Sequence, residues 1–159
     1  MDAKKSRAAR LGQALQDARR AAGLTRCAVA DRAGVSLSAA KAAEQGRGLV
    51  ETFQRLAEAT GHQLTARQTG GGLEGLPAMR ARSMSQREAA QAAGLSRGAV
   101  AAVESASRAV RVETLAEYAA ALGAGLALAP KGQGVGFFGG LARSSGWHGP
   151  RQAEAGQRV

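Results

Sequence analysis

Gly34-Val35-Ser36 and Gly94-Leu95-Ser96 stand sixty residues apart and make the same local demand on the chain. A glycine ends a helix because it enters the left-handed conformation without a Cβ clash. A serine two residues later opens the next helix, its hydroxyl accepting an N–H of the first turn. Each string therefore predicts two short helices joined by a tight turn. The fuller copy is Met84 to Glu104. There Ser85 and Glu88 form an S-x-x-E capping box that starts a helix at Ser85. Ala89, Ala90 and Ala93 give this helix a small apolar face, and Val100 and Val103 turn inward from the helix after the turn.

The interval extends well beyond the turns. Thr25 caps the first copy, Val29 and Ala30 face inward, Ala40 and Ala43 hold the next buried face, and Glu44 falls sixty residues before Glu104. A spacing this constant indicates an internal repeat. It continues, shifted by two, through Glu51-Thr52-Phe53 and Glu113-Thr114-Leu115, which open amphipathic helices ended by Gly61 and Gly123. Each helix is followed by a short alternating piece, Gln63 to Arg67 and Gly125 to Ala129. Leu64 with Ala66, and Leu126 with Leu128, alternate as half-buried strands do. The units differ at their starts. Leu11, Leu15, Ala18 and Ala22 predict a helix from Ser6 to about Ala22, stopped by Gly23. Before the second unit, Gly70 to Pro77 breaks such a helix and leaves room only for a short one, Pro77 to Arg82. The expected domains are 1–68, a linker 69–82, 83–130, and a Gly-, Ser- and Gln-rich tail 131–159 that reads as disordered.

Composition narrows the function. The chain is 45% hydrophobic but only 3% aromatic, so its core is alanine-rich, helical and closely packed. A net charge of +10 favours a polyanionic partner, nucleic acid ahead of an anionic membrane. No apolar run approaches the roughly 18 residues of a membrane span. The first residues lack the apolar core of a signal peptide, so a cytoplasmic location is expected. Cys27 is the lone cysteine, which excludes an internal disulfide, and neither His62 nor His148 has a cysteine nearby. No metal site and no cofactor are expected. No phosphate-binding glycine loop or nucleophile elbow is present, and nothing argues for an enzyme.

Ser85-Gln86, Ala90, Gly94-Leu95-Ser96, and Val100 with Glu104 together resemble the helix-turn-helix of the phage-repressor family, also called Cro/CI or XRE. The short strand after each unit resembles antitoxins of the HipB kind, in which strands of two subunits pair across a two-fold axis. The resemblance implies an all-α fold of two lambda-repressor-like helix-turn-helix units. They form a pseudo-dimer within one chain, with a small antiparallel ribbon of 64–67 and 126–129. It also implies that Glu44 pairs with an arginine of the first helix, which Arg19 fits. Glu104 has no evident counterpart, since position 79 is methionine; Arg80 and Arg82 are the candidates.

Double-stranded DNA is the partner the resemblance implies. Ser36–Gln45 and Ser96–Ser105 are the expected recognition helices, whose leading residues meet base edges in the major groove. Arg97 is the leading candidate for a guanine contact, with Gly98 and Ala101 beside it. Leu37 suits a thymine methyl, Ser38 a base or phosphate, and Lys41 the backbone. In the family the Gln after the cap meets a phosphate; Gln86 matches it, and Arg26 stands at that place in the first unit. The hydroxyls of Ser36 and Ser96, and Arg47, Arg108 and Arg111, are expected along the backbone. Lys4, Lys5, Arg7 and Arg10 read either as an arm onto DNA or as a solvated end.

Three functions follow. One is a sequence-specific transcriptional regulator, of the repressor type. A second is an antitoxin or antiactivator acting through a protein partner, with Phe137, Phe138 and Trp147 of the tail as its contact. The third is a non-specific nucleoid binder. The chain would act as a monomeric pseudo-dimer or as a homodimer.

Overall fold

The computed structural model describes residues 2–69, 72–106 and 109–132. The expectations for the tail and its aromatics, and for Arg108, lie outside these residues. The described residues form eight α-helices and two strands. The first half runs α1 (Asp2–Ala21), α2 (Arg26–Ala33), α3 (Leu37–Glu44), α4 (Val50–Ala59) and β1 (His62–Ala66). The second runs α5 (Leu76–Ser83), α6 (Gln86–Ala93), α7 (Arg97–Glu104), α8 (Val112–Ala121) and β2 (Leu126–Pro130). A 3-10 turn at Leu73–Gly75 precedes α5.

The turn chemistry acts as its residues dictate. Thr25, Ser36, Ser85 and Ser96 each accept an N–H three residues on, and Ser85 with Glu88 closes the full capping box. Gly34 and Gly94 stop α2 and α6 at φ 65° each. Ala89, Ala90 and Ala93 are buried, as are Val29, Ala30, Ala40, Ala43 and Val100. Val103 is half-buried against the same core. The short helix α5 and the two strands fall within one residue of expectation, while both ends of α1 differ from it. α1 begins at Asp2 rather than Ser6, because Asp2 to Lys5 holds neither glycine nor proline to break it. It ends at Ala21, so Ala22 lies past the helix and is exposed rather than inward-facing.

The halves are joined by reciprocal backbone bonds. β1 and β2 pair antiparallel with Leu64 opposite Leu128 and Thr65 opposite Ala127. A second, isolated bridge sets Leu49 opposite Arg111. Thr65 and Ala127, like Leu49 and Arg111, are 62 apart, the interval that relates α4 to α8. Val50 N–H donates to Val110 at 2.9 Å, and Val112 N–H donates to Gly48 at 3.0 Å. Swapping each residue for the one 62 away turns either bond into the other. A two-stranded ribbon is marginal alone, and this one is held by burial of Leu64, Thr65 and Ala66 against the helices.

Symmetry fails at the first helix. α1 has twenty residues and α5 eight. The extra turns of α1 cross to the other half, packing on α8 and β2, and Arg7 pairs with the buried Glu117 at 3.2 Å. They also run over the end of α3. A Cβ on Gly12 would lie 2.4 Å from the Gly46 nitrogen, and one on Gly46, at φ 75°, 2.1 Å from the Ala8 carbonyl oxygen. In the second half, where that stretch of helix is missing, the place of Gly46 is taken by Ala106 at φ 53°.

Gly46→Ala is therefore expected to cost at least about 2 kcal/mol in urea unfolding, from the clash and the left-handed strain together. Ala106→Gly, relieving strain in open surroundings, is expected to be neutral or stabilising by up to about 1 kcal/mol. A harmless Gly46→Ala would mean that α1 does not press on α3.

Candidate nucleic-acid interface

α3 and α7 each expose their leading face. Ser36, Leu37, Ser38 and Lys41 are exposed in one, and Ser96, Arg97, Gly98 and Ala101 in the other. The opposite faces are nailed to the core by Ala40, Ala43 and Val100. Leu37, half of its surface open, is one of only two large hydrophobic side chains left exposed among the described residues. It shares a shallow surface with Thr25, Arg26, Cys27, Ser38 and Lys41. Ser36 and Ser38 hydroxyls lie 3.1 Å apart. A Cβ on Gly98 would meet only Ser96 Oγ at 3.9 Å, so packing does not demand glycine there.

Behind each exposed face sits a half-buried carboxylate that ties the helices together. Glu44 ends α3, and Arg19 of α1 donates to its Oε1 at 2.5 Å, while Arg26 of α2 donates to Oε2 at 2.7 and 3.0 Å. Glu104 ends α7, and Arg80 of α5 donates to its Oε1 at 2.5 Å while Gln86 of α6 donates to Oε2 at 2.6 Å. Arg19 and Arg80 also donate to the carbonyls of Leu24 and Met84. Of the two candidate partners for Glu104, Arg80 is the one that reaches it. Arg82 is exposed. Arg26 and Gln86 thus occupy the same place and bind the same carboxylate. Arg26, expected on a phosphate, spends its Nε and Nη2 on Glu44; its side chain remains 36% exposed.

Glu104 has a third donor that sequence reasoning missed. Tyr118 of α8, fully buried, donates its hydroxyl to Oε1 at 2.6 Å. The equivalent residue of α4 is Leu56. The signal was available: the chain's single tyrosine stands on an inward-facing helical position, and the residue 62 before it is leucine. In the first half Glu44 is balanced by two cations, and in the second Glu104 by one cation and two neutral donors. Burial raises both glutamates' pKa, but the hydrogen bonds from Arg19 and Arg26, and from Arg80, Tyr118 and Gln86, outweigh it and hold both below 4.5. Burial, reinforced by Glu104, pushes the Tyr118 phenol upward.

The remaining expected residues are more scattered. Arg47 is exposed just beyond α3. Arg111 is the residue before α8, exposed, with its backbone in the bridge to Leu49. Cys27 is a free, exposed thiol. No group of His, Cys, Asp and Glu among the described residues could hold a metal ion. No helix among them is long and apolar enough to cross a membrane.

Removing Glu44 strands two arginines, so Glu44→Ala is expected to cost about 3 kcal/mol in chemical unfolding. Tyr118→Phe, losing a bond to an ionised acceptor, is expected to cost about 2 kcal/mol. Because the folded carboxylates titrate below their unfolded value, their stabilisation is full above about pH 4.5 and lost as pH falls through the lower folded values. Unfolding measured from pH 6 to pH 3 should show this loss blunted in Glu44→Ala; an unchanged pH profile would count against the pairing.

Residues 78–128, running from α5 into β2 and about a third of the chain, match the family model described as helix-turn-helix. No curated protein and no solved structure matches the chain. The match spans the capped α6, the Gly94 turn and the exposed α7, so family likeness and geometry identify the same helix-turn-helix in the second half.

Proposed function

We propose that this protein is a sequence-specific, double-stranded DNA-binding regulator of transcription, acting as a repressor by occupying its site. The observation that carries the reading is the exposed leading turn of α7, with Arg97 foremost, inside the segment that matches a helix-turn-helix. Such an element lays its second helix in the major groove with its N-terminal residues at base edges. Arg97 then pairs with guanine O6 and N7, flanked by Gly98 and Ala101. Gly98 brings backbone close to the bases, since no side chain stands between.

In the same reading the first half is a second reader. Leu37 meets a thymine methyl, Ser38 a base or phosphate, and Lys41 the backbone. Phosphates are held by Ser36, Ser96, Arg47, Arg108, Arg111 and Gln86, and by the guanidinium nitrogen of Arg26 that Glu44 leaves free. The chain is an intrachain pseudo-dimer. Support comes from Thr65 with Ala127 and Leu49 with Arg111, two pairs of related residues that face each other as residues on a two-fold axis do. Because α3 and α7 carry different side chains, the operator has two unlike half-sites.

The test is DNA affinity measured across base variants and salt. Arg97→Ala is expected to cost about 1–3 kcal/mol and to relax preference at one base position. Lys41→Ala should weaken all sequences alike and reduce the salt slope by about 1. An unaltered preference in Arg97→Ala would overturn the assignment of the reader.

A further inference from the structure

The truncation of α5 leaves a space that its counterpart fills. In the first half, Ala8 and Gly12 of α1 press on Glu44 and Gly46 at the end of α3. In the second half, among the described residues, the corresponding ground at the end of α7, Glu104 and Ala106, has no counterpart of the early turns of α1, since α5 begins only at Leu76. Instead a cavity of about 350 Å³ opens there, within the range of small-molecule sites. Its apolar lining includes Leu73, Leu76, Pro77, Val103, Val110 and Leu115, and Val50 and Gln54 of α4 line it too. The Gln54 side-chain amide makes no hydrogen bond among the described residues.

We propose that this cavity binds a small effector with an apolar body and a cationic amine. The apolar walls call for the first feature. The second follows from charge: in a chain of net charge +10, the two ionisable groups lining the cavity are both acidic, Glu74 and Glu104. Glu104 is already fully engaged by Arg80, Gln86 and Tyr118, so Glu74 at the exposed rim is the counter-ion and the Gln54 carbonyl a second acceptor. Glu74 accepts only the Gly72 N–H at 3.0 Å among the described residues. The site touches α7 through Val103 and α4 through Val50, so a bound molecule bears on one reading helix and on the joint between the halves. That regulatory consequence rests on the DNA-binding reading; the binding itself does not.

The full chain is titrated with cyclohexylmethylamine, followed by calorimetry and amide chemical shifts, with cyclohexanecarboxylate as the control. The expected result is saturable amine binding with shifts at Val50, Val103, Val110 and Leu115, and no binding of the carboxylate. Leu73→Trp, which fills the cavity, should abolish binding, and Glu74→Gln, at an exposed position that leaves the fold intact, should weaken it about tenfold. No saturable shifts, shifts elsewhere, or equal binding of the carboxylate would overturn the site. Amine binding that leaves DNA affinity unchanged would overturn the effector role alone, without touching the DNA reading. If neither small molecule binds and a segment of the chain's own tail or a helix of another protein is found in the cavity, the proposal is likewise overturned.

Discussion

Two reciprocal backbone bonds, Val50 to Val110 and Val112 to Gly48, fix the relation of everything else. Apart from the twenty-residue α1, each half is a handful of eight- to ten-residue helices with an alanine-rich core, too small to bury much surface alone. What completes the fold is the joint. α4 and α8 begin beside each other at the Leu49–Arg111 bridge, and the chain leaves them into strands that pair again at Thr65 and Ala127. The fully buried Phe53 and Tyr118 sit on these helices. Fixing α4 and α8 fixes α2 and α3, packed on the first, and α6 and α7, packed on the second.

Within each half, the glutamate ending the exposed helix holds that helix's outer face fixed on the frame. Its two oxygens are bound by the preceding two helices, so α3 cannot roll without breaking bonds to Arg19 and Arg26, nor α7 without breaking those to Arg80 and Gln86. The two halves reach the same result with different residues. A second arginine in one half does the work of a glutamine and a tyrosine in the other. The consequence is electrostatic as well as mechanical: Arg26 leaves a net positive cluster beside Leu37 and Lys41, while around Glu104 the charges balance.

Local rules made much of this legible. A glycine that must be left-handed, a serine that must cap, and a glutamate three residues after Ser85 each act over one turn, and Gly34, Gly94 and Ser85 behaved as read. The sixty-residue interval between these turns is legible for the same reason. What escaped were effects decided by distant partners. The start of α1 depends on nothing breaking the helix, not on a marked start, so Ser6 was the wrong boundary. The Glu104 partner shifted by one residue to Arg80, because α5 enters from a different, glycine-rich lead. Tyr118 hid in an apolar stripe, where a hydroxyl looks like core until the facing carboxylate is seen. The cavity beneath α7 is an absence, and only comparison with α1 reveals it.

We propose that one chain carries two unlike readers in a fixed relation and presents both to one duplex. Selection from random-sequence DNA, with the stoichiometry of the selected complex determined by native mass spectrometry, addresses it most directly. The expected result is a non-palindromic consensus of two different half-sites, about 34 Å apart or one helical turn, bound by a single chain. A palindromic consensus bound by two chains, or no consensus at all, would contradict it.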